Sequence, residues 1–440
     1  MAQATKGKMI KKFRPMDALV VPVGLGAVIN MLVIRKACYK FASGVNIVLD
    51  KLTGGYFLAA CENYFDVKPR NRFSKFIATK LIHDPENYDI ASMAIFLFAA
   101  GLGNMAMAYA RIAYGWTVLP VLYYAWFLAC GCLGGNELHY HSHMQVGFRQ
   151  KGHVFKFEPF NHLCTWIVQP MSGYAPGFWL YNHVQIHHKE NNGHDDIQTV
   201  SFFPRTMSNF CYFHMELPVQ WFVRAPLYFY QKGNYKATAS LVASMVGWYG
   251  MGVWLWKKDI FASMMVVWWT TYTKLCVNST TEYTQHALVD PDRPMDIHRN
   301  NCILLKPTEG YPAGFQQRDN HDERYHSVHH QYPRLNMGQN SVYYWKNKEW
   351  FDECGQLTFD MSFREYARCI IFEDISKLAS CMIGTGPEKD FNYEQKRAVL
   401  AKWLGVAFSR EECKWTTRPS WLFSNMVSTE KVTVDNTFAG

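Results

Sequence analysis

Four apolar runs constrain the fold of this chain more than any other feature. They cover residues 90–110, 113–133, 237–256 and 260–277. Each is close to the length of about 20 residues that a helix needs to cross a bilayer. The runs come in two pairs, because only short breaks at Arg111 and at residues 257–259 separate the members of each pair. Such breaks join antiparallel neighbours, so the pattern predicts two helical hairpins. The alternative is a soluble protein with two buried hairpins.

The charge distribution predicts which side of a membrane the rest of the chain occupies. A hairpin that crosses and returns leaves both its ends on one face, so residues 134–236 share a face with both terminal regions. Residues 1–88 hold 14 Lys+Arg against 6 Asp+Glu, which is +8 of the net +9. Basic segments beside membrane helices usually lie in the cytosol. We therefore expect an integral protein of the endoplasmic reticulum, with this face cytosolic and no nucleic-acid partner.

The chain is expected to divide into three regions. Residues 1–88 form a basic N-terminal region, residues 89–345 a membrane catalytic domain, and residues 346–440 a cytosolic tail. A fifth apolar run, residues 18–34, fits a signal anchor, a fifth span or a helix in the interface. The 12 cysteines are scattered without disulfide-type spacing, which indicates reduced thiols and a reducing compartment.

Histidines cluster just beyond the predicted cytosolic ends of the spans. The chain has 17 histidines, none within the four apolar runs. The nine that we predict as catalytic metal ligands are His139, His143, His183, His187, His188, His286, His326, His329 and His330. Residues four apart share one helical face, whereas a residue one position further along points about 100° away. Each trio of histidines could therefore serve two adjacent ions. His141 faces away from His139 and His143 and is not expected to bind metal.

Nine imidazoles are too many for one zinc ion, which normally takes four ligands. They fit two ions with four or five ligands each. Imidazole suits zinc, copper, iron and nickel, so ligand type alone leaves the metal open. Four acidic residues near the histidines are expected either to orient the imidazoles from behind or to be solvated surface charges: Glu137, Glu282, Asp195 and Asp196. The predicted fold class is thus all-α, a polytopic membrane protein whose two hairpins carry a cytosolic helical cap with a dimetal site.

The histidine pattern resembles the membrane-bound fatty acid desaturase and alkane hydroxylase superfamily over residues 90–345. Three boxes and one isolated histidine carry the resemblance: HxxxH at His139 and His143, HxxxHH at His183, His187 and His188, HxxHH at His326, His329 and His330, and His286 in "EYTQHALV". The "HE" start of the hydroxylase first box is absent, because Glu137 precedes His139 instead.

The resemblance implies a non-haem centre of two iron ions, cycling between Fe²⁺ and Fe³⁺, that uses O₂ to oxidise an unactivated C–H bond of a lipid or fatty acyl substrate. Hydroxylation and desaturation both remain open. No His-Pro-Gly-Gly haem motif and no paired CxxC occurs in the sequence. Electrons are therefore expected from a separate ferredoxin-like or cytochrome-b-type carrier with its reductase. The aromatic segment 173–179 is expected either to line the substrate path or to pack at the interface.

Two other functional classes fit the sequence less well. A membrane zinc-dependent lipid amide hydrolase would use three histidines and an acid, which leaves most of the nine unexplained. A metal transporter would need polar residues within its spans, and the predicted spans hold almost no ionisable residue except Lys274.

Overall fold

The computed structural model describes residues 35–66, 68–131, 135–145, 153–201, 204–307, 312–314 and 324–405, together with residues 26, 29 and 407. Apart from residues 26 and 29, the apolar run 18–34 lies outside these residues, and so does most of the sequence beyond 405. The described chain is mostly helical, with one small sheet.

Each of the four apolar runs of the sequence is helical over most of its described length. Two helices precede them, α1 (Arg35–Leu52) and α2 (Tyr56–Tyr64), followed by short segments at Arg72–Phe76, Ile77–Leu81 and Pro85–Asn87. The first hairpin consists of α3 (Tyr88–Tyr114) and α4 (Val118–Gly131). The second consists of α9 (Tyr235–Lys258) and the continuous helical stretch α10 (Ile260–Gln285). Gly115, with φ 70°, ends α3 in the left-handed conformation that glycine adopts without strain.

Two of the described helices are both long and apolar enough to cross a membrane, by length and composition. They span Pro85–Tyr114 and Ile260–Gln285, one from each hairpin. The described part of α4 is apolar but covers 14 residues, and α9 has 24 residues but is less apolar. About half of an 18-residue apolar window in each of these helices is buried inside the protein, 50% and 56%. Exposed apolar side chains cover outer faces of the hairpins, among them Leu102, Val118, Leu119, Val246 and Val253.

The turns of the two hairpins lie at the same end of the helix bundle. The Arg111 guanidinium donates from Nε to Asp259 Oδ1 at 2.9 Å and lies over the Phe261 ring at 4.9 Å. Deeper in the bundle, Asn104 Nδ2 donates to the Met265 carbonyl at 3.0 Å. Arg111 and Asp259 occupy the short breaks between the apolar runs of the two pairs. Their ion pair therefore shows that the turns of both hairpins lie side by side at one end of the bundle.

Shorter helices between and after the hairpins form the cap that carries the histidines. Between the hairpins lie α5 (Gly135–Gln145), α6 (Phe178–His187), α7 (Met207–Val219) and α8 (Ala225–Gln231), with shorter turns at Glu158–Leu163, Cys164–Val168, Gln169–Met171, His188–Glu190 and Gln220–Arg224. After them lie α11 (His326–Gln331), α12 (Phe363–Ile371), α13 (Ile375–Cys381) and α14 (Tyr393–Trp403), with short helices at Ile297–Asn300, Met337–Gln339, Asn340–Lys346, Lys348–Glu353 and Gly386–Glu388.

A small sheet corrects the all-α expectation. Strands β1 (Cys302–Leu304), β2 (Leu357–Phe359) and β3 (Met382–Ile383) pair in that order, β1 parallel and β3 antiparallel to β2. The reason is burial: every residue of β1 and β2 is buried, and an extended apolar segment in a dry interior needs partners for its backbone groups. An isolated bridge between Ile303 and Tyr325 connects the sheet to the start of α11.

Candidate metal centre

The first histidine pair lies on α5, directly after the first hairpin. The Nε2 atoms of His139 and His143 are 2.9 Å apart, as expected for positions four apart on one helical face. The Trp179 ring stacks on His139, with 4.6 Å between ring centroids and 19° between planes. His141 is turned away, with its ring nitrogens 3.3 Å from Asn161 Oδ1 and Gln145 Nε2. The expectation that His141 faces away from the pair is therefore met.

The second trio lies on a π-helix, which changes its geometry from the α-helical expectation. The segment Phe178–His187 is π-helical, and the His188 N–H donates to the His183 carbonyl. This i→i+5 hydrogen bond is the one that defines a π-helix. It brings positions 183 and 188 onto neighbouring points of one face, and their Nε2 atoms lie 3.0 Å apart. The prediction that His188 points about 100° away from its partner's face was wrong for this reason.

The last four histidines come from the ends of two other elements. His286 caps the C-terminus of α10, and its Nδ1–H donates to the Asn300 carbonyl at 3.3 Å. His326, His329 and His330 lie on the short helix α11, and all three are buried. Chain segments far apart in sequence therefore deliver nine imidazoles to one place, at the opposite end of the bundle from the Arg111–Asp259 pair.

The nine histidines separate into two adjacent groups. The five-histidine group comprises His139, His143, His183, His188 and His329, whose ligand atoms all lie within 4.8 Å of one another. The second histidine group comprises His187, His286 and His330, whose ligand atoms also lie within 4.8 Å of one another, together with His326, whose Nε2 is 3.1 Å from that of His286. The groups adjoin, because the His188 and His330 rings stack at 4.2 Å. The histidine clusters could hold a metal ion, and the expected number of two ions stays a prediction.

The spacing of the nitrogen atoms fits metal ions better than hydrogen bonding alone. Successive Nε2 atoms of His143, His139, His329, His188 and His183 are 2.9 to 3.0 Å apart. A ring nitrogen has either one proton or one lone pair, so five atoms in four successive contacts form at most two hydrogen bonds. Two nitrogens bound at about 2.1 Å to one ion, at right angles, lie about 3.0 Å apart. Buried histidines in this arrangement could therefore hold a metal ion.

The nitrogen positions of the second histidine group also fit a metal ion. The Nε2 atoms of His187 and His286 are 3.0 Å apart. The Nε2 atom of His330 is buried and makes no hydrogen bond to any described residue. A buried ring nitrogen without a partner is destabilising, and a cation between these three rings would remove that cost. The donor set therefore fits a second ion beside the first.

Burial keeps most of these imidazoles in the neutral form that binds metals. The pKa of six of them is lowered well below its usual value, first because burial disfavours the charged ring and then because neighbouring imidazoles repel it; they are His143, His183, His188, His286, His329 and His330. A neutral imidazole offers a lone pair, which the imidazolium lacks. These six rings can therefore bind cations without first releasing protons.

Carboxylates contact the histidines in two different ways. Asp196 is fully buried, and its Oδ2 accepts a hydrogen bond from His187 Nδ1–H at 2.6 Å. This contact leaves His187 Nε2 for a metal, which is the orienting role expected of the acids. Glu282 differs from Asp196 because its carboxylate contacts two of the nine histidines: it lies 3.5 Å from His183 Nδ1 and 3.9 Å from His187 Nε2. It forms a third potential ligand set with these two residues.

The other two acids behave differently from each other. Asp195 lies 3.9 Å from His194, which is not one of the nine. Glu137 is buried on α5, two positions before His139, so the solvated-surface alternative does not apply to it.

Two features of the site were missed by sequence reasoning. The first is Trp179, whose stacking on His139 was not assigned, although the aromatic segment 173–179 was noted. The second is the backbone carbonyl of Asn300, which orients His286 and leaves no signature in a sequence. The carboxylate of Glu282 was noticed but was placed behind the ligands.

Comparison with known proteins gives no identification. No protein-family model matches the chain, and no curated protein or solved structure is significantly similar to it.

Proposed function

We propose that this protein is an integral membrane enzyme that uses O₂ to oxidise an unactivated C–H bond of a long-chain lipid or fatty acyl substrate. One observation carries the proposal: nine imidazoles, all buried except the half-buried His188, converge in two adjacent groups, and neighbouring Nε2 atoms of eight of them are about 3 Å apart. The resemblance of the histidine boxes to membrane desaturases and alkane hydroxylases agrees with it. Two iron ions are the proposed occupants.

The residues of this chain would hold the two irons as follows. The five-histidine group would bind one ion and the second histidine group the other, with the Glu282 carboxylate beside both. Iron bound by such ligands, with coordination positions left open, activates O₂ for oxidation of strong C–H bonds. Asp196 would keep the lone pair of His187 Nε2 directed at the metal. Trp179 covers the His139 ring and excludes water from that side.

The arrangement of the hairpins suits a substrate that arrives from a bilayer. The histidines lie at the end of the bundle opposite the hairpin turns, where a membrane surface would be. Exposed apolar side chains on the hairpins would face lipid tails, and a lipid chain could reach the site without passing through water. We place the site on the cytosolic side of the endoplasmic reticulum membrane, where a ferredoxin-like or cytochrome-b-type carrier with its reductase would supply electrons.

The first experiment is elemental analysis of the purified protein. Close to two irons per chain supports the proposal. A single zinc per chain would instead support the alternative function of a lipid amide hydrolase and would contradict the proposed di-iron site.

The second experiment is expression in yeast, which supplies its own reductases, followed by mass spectrometry of total lipids. We expect new lipids that have gained one oxygen atom, from hydroxylation, or lost two hydrogens, from desaturation. A His329→Ala variant should give neither product, because His329 Nε2 contacts both His139 and His188. The matched control is His162→Ala, since His162 is exposed and outside both groups. An unchanged lipid profile with iron-loaded protein would contradict the proposed reaction.

A further inference from the structure

A buried ion pair lies directly behind the second histidine group. Arg299 precedes Asn300, whose carbonyl oxygen accepts the hydrogen bond from His286 Nδ1–H, and only 2% of Arg299 is exposed. Its guanidinium donates from Nη1 and Nη2 to the two carboxylate oxygens of Glu388, at 2.8 and 2.7 Å. Such paired contacts are strong and fix the relative orientation of the two groups. The position of Arg299 therefore depends on Glu388.

The same guanidinium closes the loop between His286 and Asn300. Arg299 Nε donates to Asp290 Oδ2 at 3.1 Å, and the Arg299 carbonyl accepts from the Asp290 N–H, also at 3.1 Å. One side-chain and one backbone hydrogen bond thus join the two ends of the segment 290–299. Because His286 lies before this segment and Asn300 directly after it, the closed loop brings the imidazole and the carbonyl together.

Asn300 also contacts the chain segment that follows His187. Its Nδ2 donates to the Asn191 carbonyl at 3.2 Å, and the Asn191 N–H donates to the His187 carbonyl at 2.6 Å. His187 and His286 both belong to the second histidine group, and their Nε2 atoms are 3.0 Å apart. A displacement of Asn300 would therefore act on two imidazoles of this group.

Residues 346–405 hold the loop at three separate points. The first is Glu388, which is 4% exposed. The second is the Gly355 carbonyl, which accepts from Arg299 Nη1 at 2.8 Å. The third is the Trp403 ring at the end of α14, whose centroid lies 4.5 Å from the guanidinium carbon. The C-terminal part of the described chain therefore supplies the surface on which the loop rests.

We propose that Arg299 and Glu388 are positioning residues for the second metal ion. Through them, residues 346–405 fix the direction in which His286 presents its Nε2 atom. This region then belongs to the metal centre, although it supplies none of the nine histidines. The inference rests on the metal centre of the proposed function but is independent of which metal occupies it. Partners behind a ligand hold it in its binding geometry, so weakening them lets the ligand move away.

The test is chelator competition on purified full-length protein, with the released ions counted by elemental analysis. Glu388→Gln keeps the shape of the side chain and removes its charge, while Asp290 remains as a counter-ion for Arg299. We expect this variant to release one of its two ions at about 2–30-fold lower chelator concentration than wild type, and the other ion at the wild-type concentration. Glu388→Asp keeps the charge and should recover part of the lost affinity.

Asp292→Asn is the matched control. Asp292 Oδ2 accepts from Lys402 Nζ at 2.7 Å, so this ion pair also joins the loop to residues 346–405, but both side chains are exposed. An exposed pair contributes little, and both ions should be released as in wild type. Arg299→Lys guards against misfolding, because it keeps the charge and loses only the forked contact. It should release the same ion early as Glu388→Gln does.

Wild-type release of both ions from Glu388→Gln and Arg299→Lys would overturn the inference. Easier release of both ions alike would also overturn it, because that is the mark of a general loss of stability, and so would the absence of any recovery in Glu388→Asp. Elemental analysis separates this inference from the proposed function. Iron-loaded protein that releases both ions alike in every variant contradicts only the inference, whereas selective release of a metal other than iron contradicts only the proposed function.

Discussion

The contact between Asp196 and His187 gives the sharpest test of the second histidine group. Asp196 Oδ2 accepts from His187 Nδ1–H at 2.6 Å and from the Asn192 N–H at 3.0 Å. Its other oxygen, Oδ1, accepts from the Gln198 N–H at 2.8 Å. Three donors thus converge on one buried carboxylate. In Asp196→Asn one oxygen becomes an NH₂ group, which must then face either Gln198 or the two donors on the other side.

The expected magnitude follows from what the amide cannot do. With its oxygen toward His187, the variant keeps a neutral hydrogen bond there but sets two donors against each other at Gln198. It also loses the negative charge that raises the basicity of His187. Replacing a group that orients a metal-bound histidine typically lowers metal affinity by about 10–100-fold, which is about 1.4–2.7 kcal/mol. The metal affinity of the second histidine group should fall by this amount, because His187 belongs to that group. The metal affinity of the five-histidine group should change little.

Chelator competition on purified protein measures this effect. Wild type should release two metal ions with similar resistance. Asp196→Asn should release one of them at about 10–100-fold lower chelator concentration. Asp195→Asn is the matched control in the neighbouring position, because Asp195 lies 3.9 Å from His194, which is not one of the nine. The reasoning would be refuted if the two variants retained metal equally well. It would also be refuted if Asp196→Asn lost both ions together while its helical circular dichroism stayed intact.

Three further predictions concern other parts of the molecule. Glu282→Gln should weaken the binding of both ions by about tenfold, because the carboxylate lies near one histidine from each group. The same chelator competition measures this effect, and an unchanged metal affinity would contradict a role of Glu282 at the metals. In His141→Ala the iron content should equal that of wild type even if thermal stability falls, since the ring is buried against Asn161. Arg111→Ala should lower the free energy of unfolding by no more than about 1 kcal/mol, because its partner Asp259 is partly exposed; a larger loss in a thermal melt would contradict this.

The sequence predicted the helices and the ligand candidates better than it predicted how far the helices reach. Apolar runs indicate burial in protein or in lipid, and composition alone does not distinguish the two. Among the residues that the structure describes, two helices are long and apolar enough to cross a membrane, where four spans were expected. The described part of α4 has 14 residues and ends at Gly131. The small sheet was missed because β1 and β2 have three residues each and β3 has two, too few for an alternating pattern.

The histidine spacings themselves contain information that could have predicted the π-helix. In α11 the trio follows an i, i+3, i+4 pattern, and these two intervals bracket the 3.6 residues of an α-helical turn. In α6 the pattern is i, i+4, i+5, and its intervals bracket the wider turn of a π-helix, roughly 4.4 residues since its hydrogen bonds run i→i+5. Viewed along the helix axis, the second and third histidines of each trio therefore lie on opposite sides of the first, about one turn further along the helix. On an α-helix the sequence HxxxHH would turn His188 away from His183, whereas the π-helix brings both into the five-histidine group. The extra residue in this box is therefore matched by an extra residue in the helical turn, and a spacing of four and five between candidate ligands favours a π-helix over an α-helix.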